Sequence, residues 1–280
     1  MKVYRAEKLG FCFGVEDAIE LAHVTTGRTE PVYSLGPLIH NNQVIEELAQ
    51  AGLTTVESPD EATGGCVLIR AHGVDPDTMA AVRERHLDVV DATCHLVRRA
   101  QNAVRTLHNE GYHVVVIGDA EHPEVKGIVG YAPDVVIIAD GDELDRLPRN
   151  ARLGIVAQTT LSQEHFAKVV GHIVARPFRE IKVVNTLCAE VFRRQEAAIA
   201  LCRKVDVMFV LGGLHSANTQ TLARLCRETG VPTYHLESWS DFRPEFVRHG
   251  GVAGVTAGAS TPDWIIDRFV HEMEAFDADT

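Results

Sequence analysis

Three of the six cysteines are the residues best able to do chemistry, because they share one position in the pattern of strands and helices. Cys12, Cys94 and Cys188 each follow a short apolar segment typical of a strand and precede a segment typical of a helix. The start of a helix favours the thiolate through its dipole and its free N–H groups. Thiolates are the ligands of zinc and of iron–sulfur clusters. The repeated position therefore predicts one shared metal centre.

The spacing of these thiols favours an iron–sulfur cluster over zinc. Structural zinc usually takes ligand pairs close in sequence, such as C-x-x-C, and the chain contains none. Three separate thiols fit a cubane cluster in which the fourth iron stays open to a substrate oxygen. The alternative is three unrelated buried cysteines, which is how we interpret Cys66, Cys202 and Cys226. A metal-dependent hydrolase is the weakest hypothesis, because no His/Asp ligand set accompanies the thiols.

Polar side chains collect in the loops that follow the predicted strands. Most of these loops begin with glycine or another small residue and lead into a helix. The candidate ligand-binding residues are His40, His72, His122, Thr159, Ser216, Asn218 and Ser260. Several hydrogen-bond donors beside helix starts suit a phosphate or a diphosphate. A single loop histidine is more often a surface residue, so the prediction depends on these residues acting as a set.

Glu124 follows His122 and Pro123 in one of these loops. A carboxyl group facing a metal cluster could deliver a proton, and burial would raise its pKa towards neutrality. The alternative is a helix-terminal Glu favoured by the helix dipole. Thr159 could relay that proton or bind a substrate hydroxyl, and its alternative role is an N-cap.

Strands alternate with helices along the whole chain, which predicts an α/β fold with parallel sheets and helices on both faces. The pattern repeats three times and predicts three pseudo-equivalent αβα lobes facing a shared centre. We expect lobe 1 at residues 13–94, lobe 2 at 95–188 and lobe 3 at 189–280, with the strand in residues 1–12 completing lobe 3. The alternative is a linear array with a free amino-terminal strand. In parallel sheets, ligands bind beyond the carboxyl ends of the strands, where all the candidate residues lie.

Composition excludes several classes of protein. The 280 residues carry a formal charge of −12, which argues against a nucleic-acid surface. Six cysteines are too few for a disulfide scaffold. The chain starts directly on a strand, without a segment of signal-peptide type, and no apolar run approaches a membrane span. We therefore expect a cytoplasmic protein in a reducing compartment, with no membrane contact.

Several motifs then occur in the order of one known family. They are Gly-Phe-Cys-Phe-Gly-Val, Ile-His-Asn, Ala-His-Gly-Val, Asp-Ala-Thr-Cys, His-Pro-Glu-Val, Ala-Gln-Thr-Thr, Ser-x-Asn-Thr and Ala-Gly-Ala-Ser-Thr-Pro-Asp. In these motifs the chain resembles the 4-hydroxy-3-methylbut-2-enyl diphosphate reductases, which act last in the methylerythritol phosphate route to isoprenoids. The resemblance runs from about Val3 to Val270, and the motifs are specific only as a set.

The resemblance implies a trefoil of three αβα lobes around a 4Fe-4S cluster bound by Cys12, Cys94 and Cys188. It also implies that an allylic alcohol diphosphate is reduced to isopentenyl and dimethylallyl diphosphate. The reaction uses two electrons and two protons and releases water. The substrate hydroxyl would bind the open iron. Glu124 matches the proton donor, with Thr159 and His122 beside it. The residues that match the diphosphate site are His40, His72, Ser216, Asn218 and Ser260. The implied electron donors are ferredoxin- or flavodoxin-type proteins.

Some positions depart from the family pattern, mainly after the third cysteine. Val191 replaces a threonine, Glu190 adds a charge, Leu214 replaces a lysine and His95 replaces a proline. One alternative is therefore a diverged paralogue that reduces a related substrate. Another is a non-catalytic cluster protein that senses iron or oxidants, which would need the cysteines but not Glu124.

Overall fold

The structure is a computed structural model, and it describes residues 1–28, 31–247 and 250–276. Its strands are β1 (Lys2–Arg5), β2 (Val32–Leu35), β3 (Leu53–Val56), β4 (Cys66–Ile69), β5 (Asp88–Asp91), β6 (His113–Ile117), β7 (Val136–Ile138), β8 (Arg152–Ala157), β9 (Glu180–Val183), β10 (Val207–Leu211), β11 (Thr233–Leu236) and β12 (Val252–Ala257). Its α-helices are α1 (Phe13–Thr26), α2 (Asn42–Gln50), α3 (Pro76–Glu84), α4 (His95–Asn109), α5 (Pro123–Val129), α6 (Gln163–Val174), α7 (Ala189–Cys202), α8 (Ala217–Glu228) and α9 (Asp263–Ala275). No helix within these ranges has the length and the apolar character that a bilayer-spanning segment needs.

The strands of the described residues form three four-stranded sheets, and every neighbouring pair of strands is parallel. Sheet 1 has the order β3-β2-β4-β5, sheet 2 the order β7-β6-β8-β9, and sheet 3 the order β11-β10-β12-β1. In each sheet, the strand that leads to one of the three candidate cysteines is an edge strand. The predicted α/β class with three parallel sheets is confirmed.

The amino-terminal strand is part of sheet 3. β1 pairs with β12, with Val3 opposite Ala253 and Arg5 opposite Val255. The fourth strand of this sheet therefore comes from the opposite end of the sequence.

The strands of sheet 2 are apolar on both sides because helices cover both faces of the sheet. Successive side chains of a strand point to opposite faces. Val114 and Val116 of β6 pack with residues of α4 and α5, whereas Val115 and Ile117 pack with residues of α6. Sheet 3 is built in the same way, with α7 and α8 on one face and α9 on the other. Burial on both faces produces the continuous apolar runs of the sequence.

The internal contacts divide the chain into two compact units. Unit 1 comprises Met1–Glu16, Ile39–Glu46 and Ala189–Thr280 and contains sheet 3, and unit 2 comprises Asp17–Leu38 and Glu47–Cys188 and contains sheets 1 and 2. The three lobe boundaries and the arrangement of the lobes around a cluster stay predictions. Residues 29–30, 248–249 and 277–280 of those lobes lie outside the described residues.

Candidate active site

The three candidate cysteines occupy one backbone position that recurs in the three sheets. In each case the cysteine N–H donates to a carbonyl oxygen in the loop after the neighbouring strand. These bonds join Cys12 to Ala259, Cys94 to Ala71 and Cys188 to Thr159, with N···O distances of 3.1, 3.0 and 2.9 Å. All three side chains are half-buried, whereas the other three cysteines are buried, as predicted. The fold therefore sets apart three accessible thiols, each at the start of a helix.

Unit 2 contains a buried carboxyl group held by one threonine. Glu124 is 2% exposed. Its Oε1 accepts a hydrogen bond from the Thr159 N–H at 2.7 Å, and its Oε2 accepts one from the Thr159 hydroxyl at 2.8 Å. Burial raises the pKa of Glu124 to about 7, although the two bonds from Thr159 act in the opposite direction. A carboxyl group with this pKa can hold or release a proton near neutral pH.

Thr159 also connects this carboxyl group to a cysteine loop. Its carbonyl oxygen accepts the Cys188 N–H. The same loop is fixed by Thr186, whose buried hydroxyl bonds the N–H of Ala157 at 2.8 Å and the Ala157 carbonyl at 2.6 Å. The proton-holding group and one thiol are therefore positioned by the same end of β8.

His122 begins α5 and has a defined tautomer when neutral. Its Nδ1 accepts a hydrogen bond from the Glu124 N–H at 3.2 Å, and Pro123 occupies the first helical position. The proton of the neutral ring is then on Nε2, which becomes a donor. The ring centroid lies 5.5 Å from that of His72, and the planes are nearly perpendicular. We call His72, His122, Glu124 and Thr159 the unit 2 cluster.

In unit 1, His40 lies against two candidate loops. A Cβ atom on Gly213 would lie 2.2 Å from the His40 carbonyl oxygen, so only glycine permits this approach. The Ser260 hydroxyl lies 3.4 Å from the same oxygen. Ser216 and Asn218 follow Gly213 in the chain and start α8. We call His40, Ser216, Asn218 and Ser260 the unit 1 cluster.

The start of α8 presents buried polar groups. Ser216 caps the helix, its Oγ accepting the Thr219 N–H at 3.4 Å. Asn218 is 6% exposed, and neither its Oδ1 nor its Nδ2 has a hydrogen-bond partner among the described residues. A buried amide without partners is costly unless a ligand or water satisfies it. Together with the helix dipole, this amide makes the start of α8 suited to an anion.

One positioning residue was not predicted from the sequence. Arg194 is completely buried, and its Nη2 donates to the carbonyl oxygen of Gly10 at 2.8 Å. Gly10 lies two residues before Cys12, so this guanidinium fixes the first cysteine loop. The sequence does carry a signal, because Arg194 lies on the helical stripe that Val191 and Ala198 share, and both of those are buried.

The departures from the family pattern have different environments. Glu190 pairs with Lys8 at 2.8 Å and with Arg193 at 3.2 Å, so its extra charge is neutralised. Val191 is buried within α7, whereas Leu214 and His95 are exposed. Their effect on substrate choice stays a prediction.

The fold and these clusters define an α/β protein with three repeated cysteine positions, a buried carboxyl group of raised pKa and a group of polar side chains at the start of a helix. The model of the family described as LytB protein matches residues 3–274. Curated relatives named 4-hydroxy-3-methylbut-2-enyl diphosphate reductase include one from Geobacter sp. (strain M21), 45% identical over 100% of this chain and 99% of the relative. Another, from Pelobacter propionicus (strain DSM 2379 / NBRC 103807 / OttBd1), is 44% identical over 95% of each chain.

Solved structures agree with these relatives. The structure of the E-1-hydroxy-2-methyl-but-2-enyl-4-diphosphate reductase from Plasmodium falciparum matches with a TM-score of 0.91 and 28% identity, over 97% of this chain and 87% of that chain. A structure described as (E)-4-hydroxy-3-methyl-but-2-enyl diphosphate reductase, the terminal enzyme of the non-mevalonate pathway, matches with a TM-score of 0.73 and 38% identity, over 99% and 100% of the two chains. The chain belongs to the LytB family of 4-hydroxy-3-methylbut-2-enyl diphosphate reductases, which confirms the family predicted from its motifs.

Proposed function

We propose that the chain reduces 4-hydroxy-3-methylbut-2-enyl diphosphate to isopentenyl and dimethylallyl diphosphate with loss of water. The observation that carries the proposal is the buried pair of Glu124 and Thr159. A carboxyl group with a pKa near 7 is bonded to the residue that also anchors the Cys188 loop. Removing a hydroxyl group as water requires a proton donor, and a carboxyl group with this pKa beside the Cys188 loop supports that role for Glu124.

The proposed cofactor is a 4Fe-4S cluster held by Cys12, Cys94 and Cys188. The donor set fits this group, because three half-buried thiols each precede a helix and occupy equivalent backbone positions. When bound, the cluster supplies electrons and an iron that acts as a Lewis acid. The three buried cysteines have no part in the proposal.

Glu124 and Thr159 handle the proton. With its pKa near 7, Glu124 is protonated in a large fraction of molecules at neutral pH. When Glu124 carries the proton, the hydroxyl oxygen of Thr159 can accept it and pass its own proton to the substrate. His122, whose neutral ring donates through Nε2, would hold the substrate beside this pair.

The anionic end of the substrate would be bound mainly by neutral donors. The proposed diphosphate ligands are His40, His72, Ser216, Asn218 and Ser260, and the proposed substrate-binding set also includes His122 and Thr159. The unpartnered amide of Asn218 and the start of α8 favour this role. Hydrogen bonds to a charged acceptor are stronger than those between neutral groups, so these donors can replace a lysine or arginine at the site.

We further infer that the small-molecule substrate and a ferredoxin- or flavodoxin-type electron donor are the partners, and that the reaction takes place in the cytoplasm. The proposed cluster takes up electrons, and one-electron carriers of this type can supply them to it.

Anaerobic reconstitution tests the proposal. We expect about four irons and four sulfides per chain, and turnover of the allylic diphosphate with dithionite and methyl viologen as reductant. Cys94→Ser should lose iron, whereas Cys66→Ala, which changes a buried cysteine, should keep it. A cluster that assembles but supports no turnover would instead favour the sensor hypothesis.

A further inference from the structure

The exposed side of α4 carries a charge opposite to that of the protein as a whole. The chain has 27 lysines and arginines against 39 acidic residues, yet α4 contains three arginines, two histidines and no acidic residue. Its buried side consists of Val97, Ala100, Gln101, Val104 and Leu107. Exposed residues of one side of the helix, which we call the α4 basic face, are His95, Arg98, Arg99, Asn102, Arg105, Thr106 and Asn109.

The α4 basic face adjoins both cysteine loops of unit 2. The helix begins directly after Cys94, and the Nε of Arg98 donates to the Thr93 carbonyl oxygen at 3.2 Å. The Nη2 of Arg99 donates to the carbonyl oxygen of Asn185, three residues before Cys188, at 3.0 Å. Two arginines of the face therefore contact the two loops that would hold the cluster in unit 2.

The positive charge of this face is only partly neutralised. Arg98 pairs with Asp91 at 3.0 Å. Arg99 and Arg105 form no salt bridge within the described residues, and the side-chain partner of Arg105 is the neutral Asn102 at 2.8 Å. Exposed charge that is not needed for folding attracts oppositely charged partners and speeds their association.

From this arrangement, and on the basis of the proposed function, we infer that the α4 basic face is the docking surface for a small acidic one-electron carrier protein. A polar, cationic surface without a large apolar patch suits a small and transient interface, which is typical of electron-transfer complexes. Docking there would bring the carrier to the backbone that holds Cys94 and Cys188, where the electrons are needed.

Two variants separate docking from the anchoring of the cysteine loops. Arg105→Glu and Thr106→Glu change the charge of the face at positions that contact neither loop. Arg83→Glu, on the exposed side of α3, is the matched control, because it makes the same charge change as Arg105→Glu outside α4. Turnover would be driven either by a reduced acidic ferredoxin or by dithionite with methyl viologen, each over a range of ionic strength.

We expect kcat/KM for the ferredoxin to fall about tenfold in Arg105→Glu and about threefold in Thr106→Glu at low salt. The salt dependence should become flatter, and turnover with the small reductants should not change. Binding of the ferredoxin by isothermal titration calorimetry should weaken in parallel, which tests docking independently of turnover.

Other results would overturn the inference. If Arg83→Glu weakens ferredoxin binding as much as Arg105→Glu does, only the total charge matters. If Arg105→Glu instead lowers kcat/KM for the diphosphate with small reductants, the face attracts substrate rather than a carrier. Failure of the wild-type protein to turn over with dithionite would count against the proposed function, and the binding measurement would still decide the docking question.

Discussion

The two clusters differ in the kind of polar group that they bury. The unit 2 cluster centres on Glu124, a titratable group whose two oxygens are both bonded to Thr159. In the unit 1 cluster, the two residues at the start of α8, Ser216 and Asn218, are neutral. The Asn218 amide has no hydrogen-bond partner within the described residues. The Glu124–Thr159 pair satisfies both carboxylate oxygens without a ligand and can hold a proton, whereas the Asn218 amide is satisfied only by an acceptor and a donor from outside. The difference suits the division between proton transfer and anion binding.

The largest loss of turnover should come from a substitution in the unit 2 cluster. Glu124→Gln keeps the shape of the side chain and the bond from the Thr159 N–H, and its amide NH2 can donate to the Thr159 hydroxyl oxygen, but it removes the transferable proton. We expect turnover with dithionite and methyl viologen to fall about a thousandfold, with little change in KM. Glu121→Gln, in the same loop but exposed, should keep nearly full activity. A Glu124→Gln variant with more than about a tenth of wild-type activity would show that the proton comes from elsewhere.

The Cys12 loop of unit 1 and the Cys94 loop of unit 2 are also fixed in different ways. The Cys12 loop is held by the completely buried guanidinium of Arg194, whereas the Cys94 loop is held by the exposed Arg98. We expect Arg194→Ala to lower the free energy of unfolding by about 3 kcal/mol, because it leaves a cavity and a carbonyl group without its donor. The measurement is anaerobic denaturant unfolding.

The neighbouring Arg193 is the control for that experiment. Its side chain is exposed and pairs with Glu190 on the surface, so Arg193→Ala should cost about 0.5 kcal/mol or less. Equal losses from the two variants would contradict the view that burial makes Arg194 a strong anchor of the Cys12 loop.

The sequence predicted those features that depend on local pattern. Alternating strands and helices indicated three parallel sheets, and the repeated strand–cysteine–helix order singled out Cys12, Cys94 and Cys188. It did not predict Arg194, because arginine is rarely completely buried and its partner lies 184 residues away. The pairing of Glu124 with Thr159 spans 35 residues and depends on how β6 and β8 pair, so the sequence suggested both residues but not their bond.

The buried carboxyl group should also make stability depend on pH. The pKa of Glu124 is about 7 in the folded chain against an ordinary value of 4.5, so the folded state binds the proton more tightly. The stability from this preference is complete below pH 4.5 and is lost as the pH rises through 7. Each pKa unit of difference corresponds to about 1.4 kcal/mol, so the free energy of unfolding should fall by about 3 kcal/mol between pH 4.5 and pH 7.

The difference in stability between the wild type and Glu124→Gln should therefore change as the pH rises from about 4.5 to about 7 and stay constant above that. The observable is the difference in unfolding free energy between the two proteins from pH 5 to pH 8.5, which removes the contribution of other groups. A difference that stays constant across this range would mean that Glu124 has an ordinary pKa.

The smallest loss of activity should come from a substitution in the unit 1 cluster. It should affect only the binding of the diphosphate substrate. Asn218→Ala removes an amide that has no described partner, so it should not lower the stability of the substrate-free protein. It should raise KM for the diphosphate about tenfold with little change in kcat, as expected for a group that binds substrate and transition state equally. Gln220→Ala, on the exposed side of the same helix, should leave KM unchanged. If Asn218→Ala instead destabilises the protein and leaves KM alone, the amide has a structural role, and the contrast between the two clusters fails.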